Sequence, residues 1–380
     1  MYDAIVVGAR CAGSPTAMLL ARKGYSVLLV DKMSFPSDIM STHYIHVPGA
    51  LRLQRWGLLD KVLATNSPPI MQIKLHVNGI EFSPPRPEGP EGEPPVPAVC
   101  PRRTVLDKIL VDAAVEAGAE LRERFSVREL VLDGERVVGL RGAERGGAEV
   151  TEEARIVIGA DGMHSTVAKA VHAPEYKTAP TQSFAYYTYW SGVSLECAEL
   201  YFLETGGVLA FPTNDDLACV AIGGQTEDFL EFRKDIKGNY FKVLDQTPSL
   251  VERMRGAKQV ERFIGTNDQP NFFRRPYGPG WALVGDAGYH RDFVTGLGIT
   301  DAFRDAELLA QAIDDGFSGR RPIEEALASY ESARNKIAEP LYEVTLQLIS
   351  GEQPQMETWL AFGAALQAMM EQEPAVAGAS

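Results

Sequence analysis

The sequence predicts a two-lobed α/β fold, in which a parallel sheet is interleaved with an antiparallel sheet and closed by C-terminal helices. Three observations predict it. A short apolar run at the N-terminus leads through a glycine turn into a helical pattern and a second apolar run. Residues 181 to about 273 change character, with aromatic alternation and several short strand patterns. A buried strand then returns at Trp281, and the last sixty residues read as helix ending in a small-residue tail.

Composition sets the outer limits. The chain has 380 residues, with 37 Lys+Arg against 51 Asp+Glu and a formal net charge of −14. That balance argues against nucleic acid, which needs clustered cations to replace its counterions. No apolar run approaches the roughly 18–20 residues that span a bilayer. Strand-like sequence from Tyr2 leaves no room for a basic and apolar leader, so none is expected. Cys11, Cys100, Cys197 and Cys219 form no C-x-x-C pair, which points to a reducing, cytoplasmic setting rather than a zinc ribbon or disulfide framework.

Ala4-Ile5-Val6-Val7 reads as a strand buried on both faces. Gly8-Ala9-Arg10-Cys11-Ala12-Gly13 follows, then a helix through Ser14 to Lys23, stopped by Gly24, and a strand from Tyr25 to Val30 ending in Asp31. This is a βαβ unit of about 30 residues with an acid ~20 residues past the turn, the pattern of a dinucleotide site. Gly8 permits the tight turn, and Gly13 lets helix and strand pack closely. The helix N-terminus holds pyrophosphate, and Asp31 accepts from a ribose hydroxyl. Arg10 stands where the second glycine of G-x-G-x-x-G belongs; its guanidinium is expected to face the diphosphate or a nearby group. Cys11 reads as a small buried filler.

Further along, Leu51–Trp56 reads as a helix ended by Gly57. His43 and His46 sit three apart, a metal spacing without further ligands, so no metal is expected. Ser83 to Pro97, rich in Pro, Glu and Gly, reads as a mobile surface loop or hairpin tip. Arg103 opens an amphipathic helix to Ala117. Strands near 124–132 and 136–143 are joined by the Asp133-Gly134 hairpin turn. Ala154–Ile158 is a buried strand that closes in Gly159-Ala160-Asp161-Gly162-Met163-His164-Ser165-Thr166-Val167. The segments 184–190, 199–203, 208–212 and 217–222 form the antiparallel sheet, with a helical insert between Glu227 and Gly256. Trp281–Val284 returns as a buried strand into Gly285-Asp286-Ala287, and Thr295-Gly296-Leu297-Gly298 starts a helix from Ile299 to about Ile313.

These signatures resemble the flavoprotein aromatic hydroxylases, the para-hydroxybenzoate hydroxylase family of FAD monooxygenases. The glycine turn with Asp31, the Asp161-Gly162 motif and the Gly285-Asp286 motif with Gly296-x-Gly298 fall in that family's order, and Arg103-x-x-Leu106 matches its flavin-contacting Arg. Geranylgeranyl reductases and flavin halogenases share the scaffold. The resemblance implies a Rossmann-like FAD-binding domain (1–75, 100–173 and 274–325), an antiparallel-sheet substrate domain (76–99 and 174–273) and a C-terminal helical segment (326–380). It implies that Gly8, Arg10, Ala12, Gly13, Asp31, Lys32, Thr42, Arg103, Val127, Asp161, Asp286, Gly296, Gly298 and Ile299 bind the cofactor. Asp31 would hold the adenosine ribose, Val127 would bracket the adenine, and Asp286 would accept from a ribityl hydroxyl. Gly296 to Ile299 would bring a helix N-terminus to the flavin. Asp161 fits a structural turn equally well.

The departures are Arg10 for Gly, Ala168 for the Arg that ends the second motif, Phe293 for Pro and Tyr289 for His, with His290 adjacent. They bear on substrate and nicotinamide contacts more than on FAD. The implied reaction is oxygenation of an aromatic or polycyclic small molecule: NAD(P)H, bound transiently, reduces FAD, and a C4a-hydroperoxyflavin transfers oxygen. The alternative is prenyl double-bond reduction of the geranylgeranyl reductase type, although that family's Cys-containing motif is absent near residues 38–46. Halogenation ranks below both, because the W-x-W-x-I-P motif is absent. Along the strand Phe184–Trp190 side chains alternate, and the Tyr187/Tyr189 face is expected over the cavity, with Phe211 and Pro212 near the reacting end. His43 and His290 complete the substrate candidates. A homodimer is left open.

Overall fold

The first sheet grows from strands apolar on both faces. A computed structural model describes residues 1–77, 79–83, 95–204, 206–352 and 356–371. Tyr2–Val7 pairs in parallel with Val27–Val30 on one side and with Val150–Gly159 on the other. Trp281–Leu283 and Glu120–Arg122 extend the parallel array at its two ends. Ala4, Val6, Val27, Leu29, Ile156 and Ile158 pack on one face, with Ala17, Leu106, Leu110 and Phe303 from the covering helices Gly13–Arg22, Arg103–Glu116 and Gly298–Phe317. On the other face, Ile5, Val7, Leu28, Val30 and Val157 meet Phe125, Val137 and Leu140 of the hairpin Phe125–Asp133/Arg136–Glu144. Each such Val, Leu, Ile or Phe side chain, taken fully from water, contributes about 1.5–3 kcal/mol.

The second sheet runs in the order Lys258–Gln259, Ser183–Ser191, Leu217–Gln225, Gly206–Pro212, Ala198–Leu203, Ile73–Val77, Ile80–Phe82, with Ile264–Thr266 also on the first long strand. It is antiparallel except between Ala198–Leu203 and Ile73–Val77, which run parallel. Ile73–Val77 therefore joins this sheet from before residue 76, where the second lobe was expected to begin. Phe184, Tyr186 and Trp190 face the insert helices Phe229–Phe232 and Ile236–Leu244, packing with Phe229, Phe232 and Tyr240. That face is core. The opposite face looks back toward the first lobe.

A small sheet, Glu175–Ala179, Asn271–Arg274 and Tyr289–His290, links the lobes and packs on the helix Ile323–Leu348. The helix between the first and second lobes' strands begins at Val47 rather than at Leu51, with Pro48 in its first turn, where a missing N–H costs nothing. Most of the Ser83–Pro97 segment and the small-residue tail from 372 onward lie outside the described residues. Among the described residues, no helix is long and apolar enough to cross a membrane.

Candidate functional site

Three glycines bring distant parts of the chain into contact. A Cβ on Gly8 would fall 2.4 Å from the carbonyl oxygen of Ala160, and one on Gly13 would fall 1.7 Å from that of Gly8. A Cβ on Gly285 would lie 2.7 Å from that of Ala12. Only bare backbone permits this approach, so the three motifs meet at the C-terminal ends of the parallel strands, where open α/β sheets bind ligands.

A cleft of about 1050 Å³ opens there and continues to the second sheet. Gly8, Arg10, Ala12, Asp31, Lys32, Thr42, Arg103, Val127, Asp161, Asp286, Gly298 and Ile299 all line it. Gly13 and Gly296 do not: Gly13 sets the helix against the strand, and Gly296 sits behind the wall, against Tyr44 and His46. Asp31 accepts from the Ala9 N–H at 2.7 Å and the Met33 N–H at 2.8 Å, which fixes its carboxylate at the cleft. Asp161 accepts from the Ser165 hydroxyl at 2.5 Å and the Thr166 N–H at 2.6 Å, so it organises the start of the helix Thr166–Ala170. Asp286 presents its side chain to the cleft while protein encloses it on the other sides; burial raises its carboxyl above the ordinary range, opposed by His290 and Arg103. The helix from Gly298 starts at the cleft, and its first-turn N–H groups have no intrahelical acceptors.

Arg10 does not offer a free cation. Its guanidinium pairs with Asp107 at 2.5 Å and bonds the hydroxyl and carbonyl of Ser37. Arg103 holds the same Asp107 at 2.9 Å, so one fully buried carboxylate gathers both arginines. The Arg10 guanidinium is therefore held by Asp107 and Ser37 at the cleft wall.

Of the substrate candidates, Tyr187, Phe211 and His290 line the cleft, whereas His43, Tyr189 and Pro212 do not. Tyr189 is fully buried, and its hydroxyl lies 2.6 Å from Nε2 of His43. Burial lowers the His43 pKa to about 3, so the ring is neutral, and Nε2 and the Tyr189 hydroxyl share one hydrogen bond. His46 is likewise held down to about 4 by burial, with Nε2 2.9 Å from the Thr295 carbonyl. These two histidines make separate contacts, and among the described residues no group of three or more His, Cys, Asp or Glu gathers as a metal site. Nδ1 of His290 donates to the Pro270 carbonyl. The sequence reading missed Ser183 and Asp292, which meet at the cleft through a hydroxyl–carboxylate bond, and Cys219, which lies between Tyr189 and Phe211 across the strands. Only the strand register reveals them.

A family model described as "FAD binding domain" matches residues 1–345. Over 78% of its length the chain is 30% identical to digeranylgeranylglycerophospholipid reductase 2 of Methanopyrus kandleri, covering 73% of that protein. Among solved structures, the myxobacterial chondrochloren halogenase CndH superposes with a TM-score of 0.84 at 20% identity, over 99% of this chain and 92% of that one. PqsL of Pseudomonas aeruginosa, described as a probable FAD-dependent monooxygenase, superposes with a TM-score of 0.77 at 19% identity, over 96% and 99%.

Proposed function

Because the chain belongs to the FAD binding domain family and is an FAD-dependent oxidoreductase, we propose that it is a monooxygenase, drawing electrons from NAD(P)H and oxygenating an aromatic or polycyclic small molecule. The observation that carries this reading is the unbroken cleft from Asp31, past Asp286 and Gly298, to the wall of Tyr187 and Phe211. The residues present fit an extended dinucleotide. The glycine contacts leave a backbone cradle, Asp31 and Asp286 offer acceptors to its two sugar-like parts, and the Gly298 helix end offers donors to a developing negative charge. When bound here, a flavin would supply electron storage and oxygen chemistry, and the protein's part would be to bind, orient and exclude water.

Oxygen transfer to an electron-rich ring asks little of side-chain acids. Alkene reduction needs a proton delivered to carbon, and at the wall of the second sheet Cys219 and Tyr187 suit that poorly; the carboxyls raised by burial, Asp286 and Asp292, lie at the nucleotide end and beside Ser183. Burial pushes the Cys219 thiol and the Tyr187 phenol above their ordinary values, which makes both weak acids. The second reading, reduction of a prenyl chain, is favoured by the similarity to the Methanopyrus kandleri reductase. Oxygen uptake with NADPH and a panel of phenols, set against anaerobic hydrogenation of a prenyl chain, separates the two. Phenol-stimulated uptake with an oxygenated product is expected; hydrogenation without oxygen would replace this reading with the second.

A further inference from the structure

The strand register lines up the cleft face of the second sheet row by row. Ala185 lies opposite Gly223, Gly223 opposite Gly207, and Gly207 opposite Phe202. The next row is Tyr187, Ala221, Leu209 and Leu200. Small residues thus form a shallow trough flanked by large ones.

Gly223 is bare without being forced to be. A Cβ there would meet the Phe184 carbonyl at 3.5 Å and the Phe293 ring at 3.9 Å, ordinary contact distances, and its φ is not in the left-handed region. Fold packing alone would accept alanine. The missing side chain leaves room between the sheet and Phe293, within the cleft.

Beside the trough, Tyr187 is 3% exposed, and its hydroxyl meets no protein group in full hydrogen-bond geometry, the Ser41 backbone and the Tyr189 hydroxyl being its polar neighbours. A buried hydroxyl without a partner carries a desolvation cost that a ligand oxygen would relieve. Other polar groups on this arm are engaged: Ser183 with Asp292, His290 with Pro270. Around the trough the wall is largely apolar, with Val77, Leu200, Phe202, Leu209, Phe211 and Ile349.

Charge is divided along the cleft. Its arginines, Arg10, Arg103 and Arg291, belong to the nucleotide lobe and are paired with Asp107 or Asp301. Among the described residues of the second-sheet arm, the charged side chains are the carboxylates Glu204 and Glu352 and, beside Ser183, Asp292; the adjacent Arg291 is already paired with Asp301. An anion in this arm would lose its hydration without gaining a cation.

We propose that the second-sheet arm selects a neutral, largely apolar molecule with a single hydroxyl or carbonyl oxygen, seated in the trough over Gly223 with its oxygen on the Tyr187 hydroxyl. The proposal rests on the flavin reading above and narrows its substrate class: carboxylated aromatics, prenyl diphosphates and anionic lipids are excluded.

The test uses holoenzyme at pH 7 with naphthalene, 2-naphthol and 2-naphthoate, and with farnesol against farnesyl diphosphate, binding being read by calorimetry. Each neutral compound should bind at least ~10-fold more tightly than its anionic counterpart. Tyr187→Phe, which removes the hydroxyl and keeps the ring, should weaken 2-naphthol about 3–10-fold and leave naphthalene unchanged. Gly223→Val should weaken naphthalene and 2-naphthol alike. Equal or tighter binding of the anions, an equal loss of naphthalene and 2-naphthol in Tyr187→Phe, or no binding of any neutral probe overturns the proposal. FAD content, measured by absorbance in the same samples, reports separately on the flavin reading. A protein full of FAD that prefers 2-naphthoate would sink only the present inference.

Discussion

His43 sits behind the cleft wall with Tyr189, Tyr187 and Phe211 around its ring, and burial there dictates its protonation. In the unfolded chain a histidine titrates near 6.5, whereas here burial, with repulsion from Arg103, brings the pKa to about 3. Between those values the unfolded state binds a proton that the native state refuses. Stability therefore falls as pH drops below about 6.5, and above that the residue adds no pH dependence. His43→Gln should remove one proton from this slope, about 1 kcal/mol per pH unit between pH 6 and 4, in denaturant melts compared with the unchanged protein. Parallel slopes would mean that His43 is protonated in the folded state. At this scale the sequence is least informative. Alternation puts Tyr187 and Tyr189 on one face but says nothing of depth, and His43 covers the second. The pairing of Arg10 with Asp107, 97 positions away, leaves no local trace either.

Elements were easier to read, because their signals are local. The first βαβ unit, the Asp133-Gly134 hairpin and the strand from Ser183 follow from apolar runs, turn residues and alternation. The parallel docking of Ile73–Val77 on Ala198–Leu203 joins segments some 125 residues apart and has no such signature. The second helix begins four residues before the expected Leu51, with Pro48 in its first turn, because proline lacks only an N–H that the first turn leaves unpaired. The two sheets can be separated by mutation. Gly13→Ala forces a Cβ into the Gly8 carbonyl and should abolish FAD uptake by pushing the first helix from its strand. Phe184→Ala empties a site among Tyr186, Phe229 and Phe232 and should cost about 3–5 kcal/mol while FAD per chain stays constant. Thermal melts and absorbance of the same preparations check both. Loss of FAD in Phe184→Ala with full retention in Gly13→Ala would reverse the assignment of the lobes.

For the molecule as a whole, charge and connectivity act together. The arginines at the nucleotide end are neutralised by Asp107 and Asp301, so in a chain whose net charge is −14 the donors left there are the N–H groups at the Gly298 helix end, while the far arm is largely apolar with carboxylates. The chain crosses between lobes several times, so the cleft is built from segments far apart in sequence. Motif order was enough to recognise the nucleotide end, since Gly8, Asp31, Asp161 and Asp286 each stand in a short, readable pattern. The substrate end depends on strand register, which no short pattern encodes. The central claim is that one dinucleotide extends from Asp31 to Asp286. Titration of the apoprotein with FAD, in the unchanged chain and in Asp31→Ala and Asp286→Ala, tests it most directly. One non-covalent FAD per chain is expected, with a loss of ~10–150-fold in affinity for each variant, the worth of a charged acceptor on a hydroxyl; unchanged affinity in both variants would mean that no dinucleotide lies between these carboxylates.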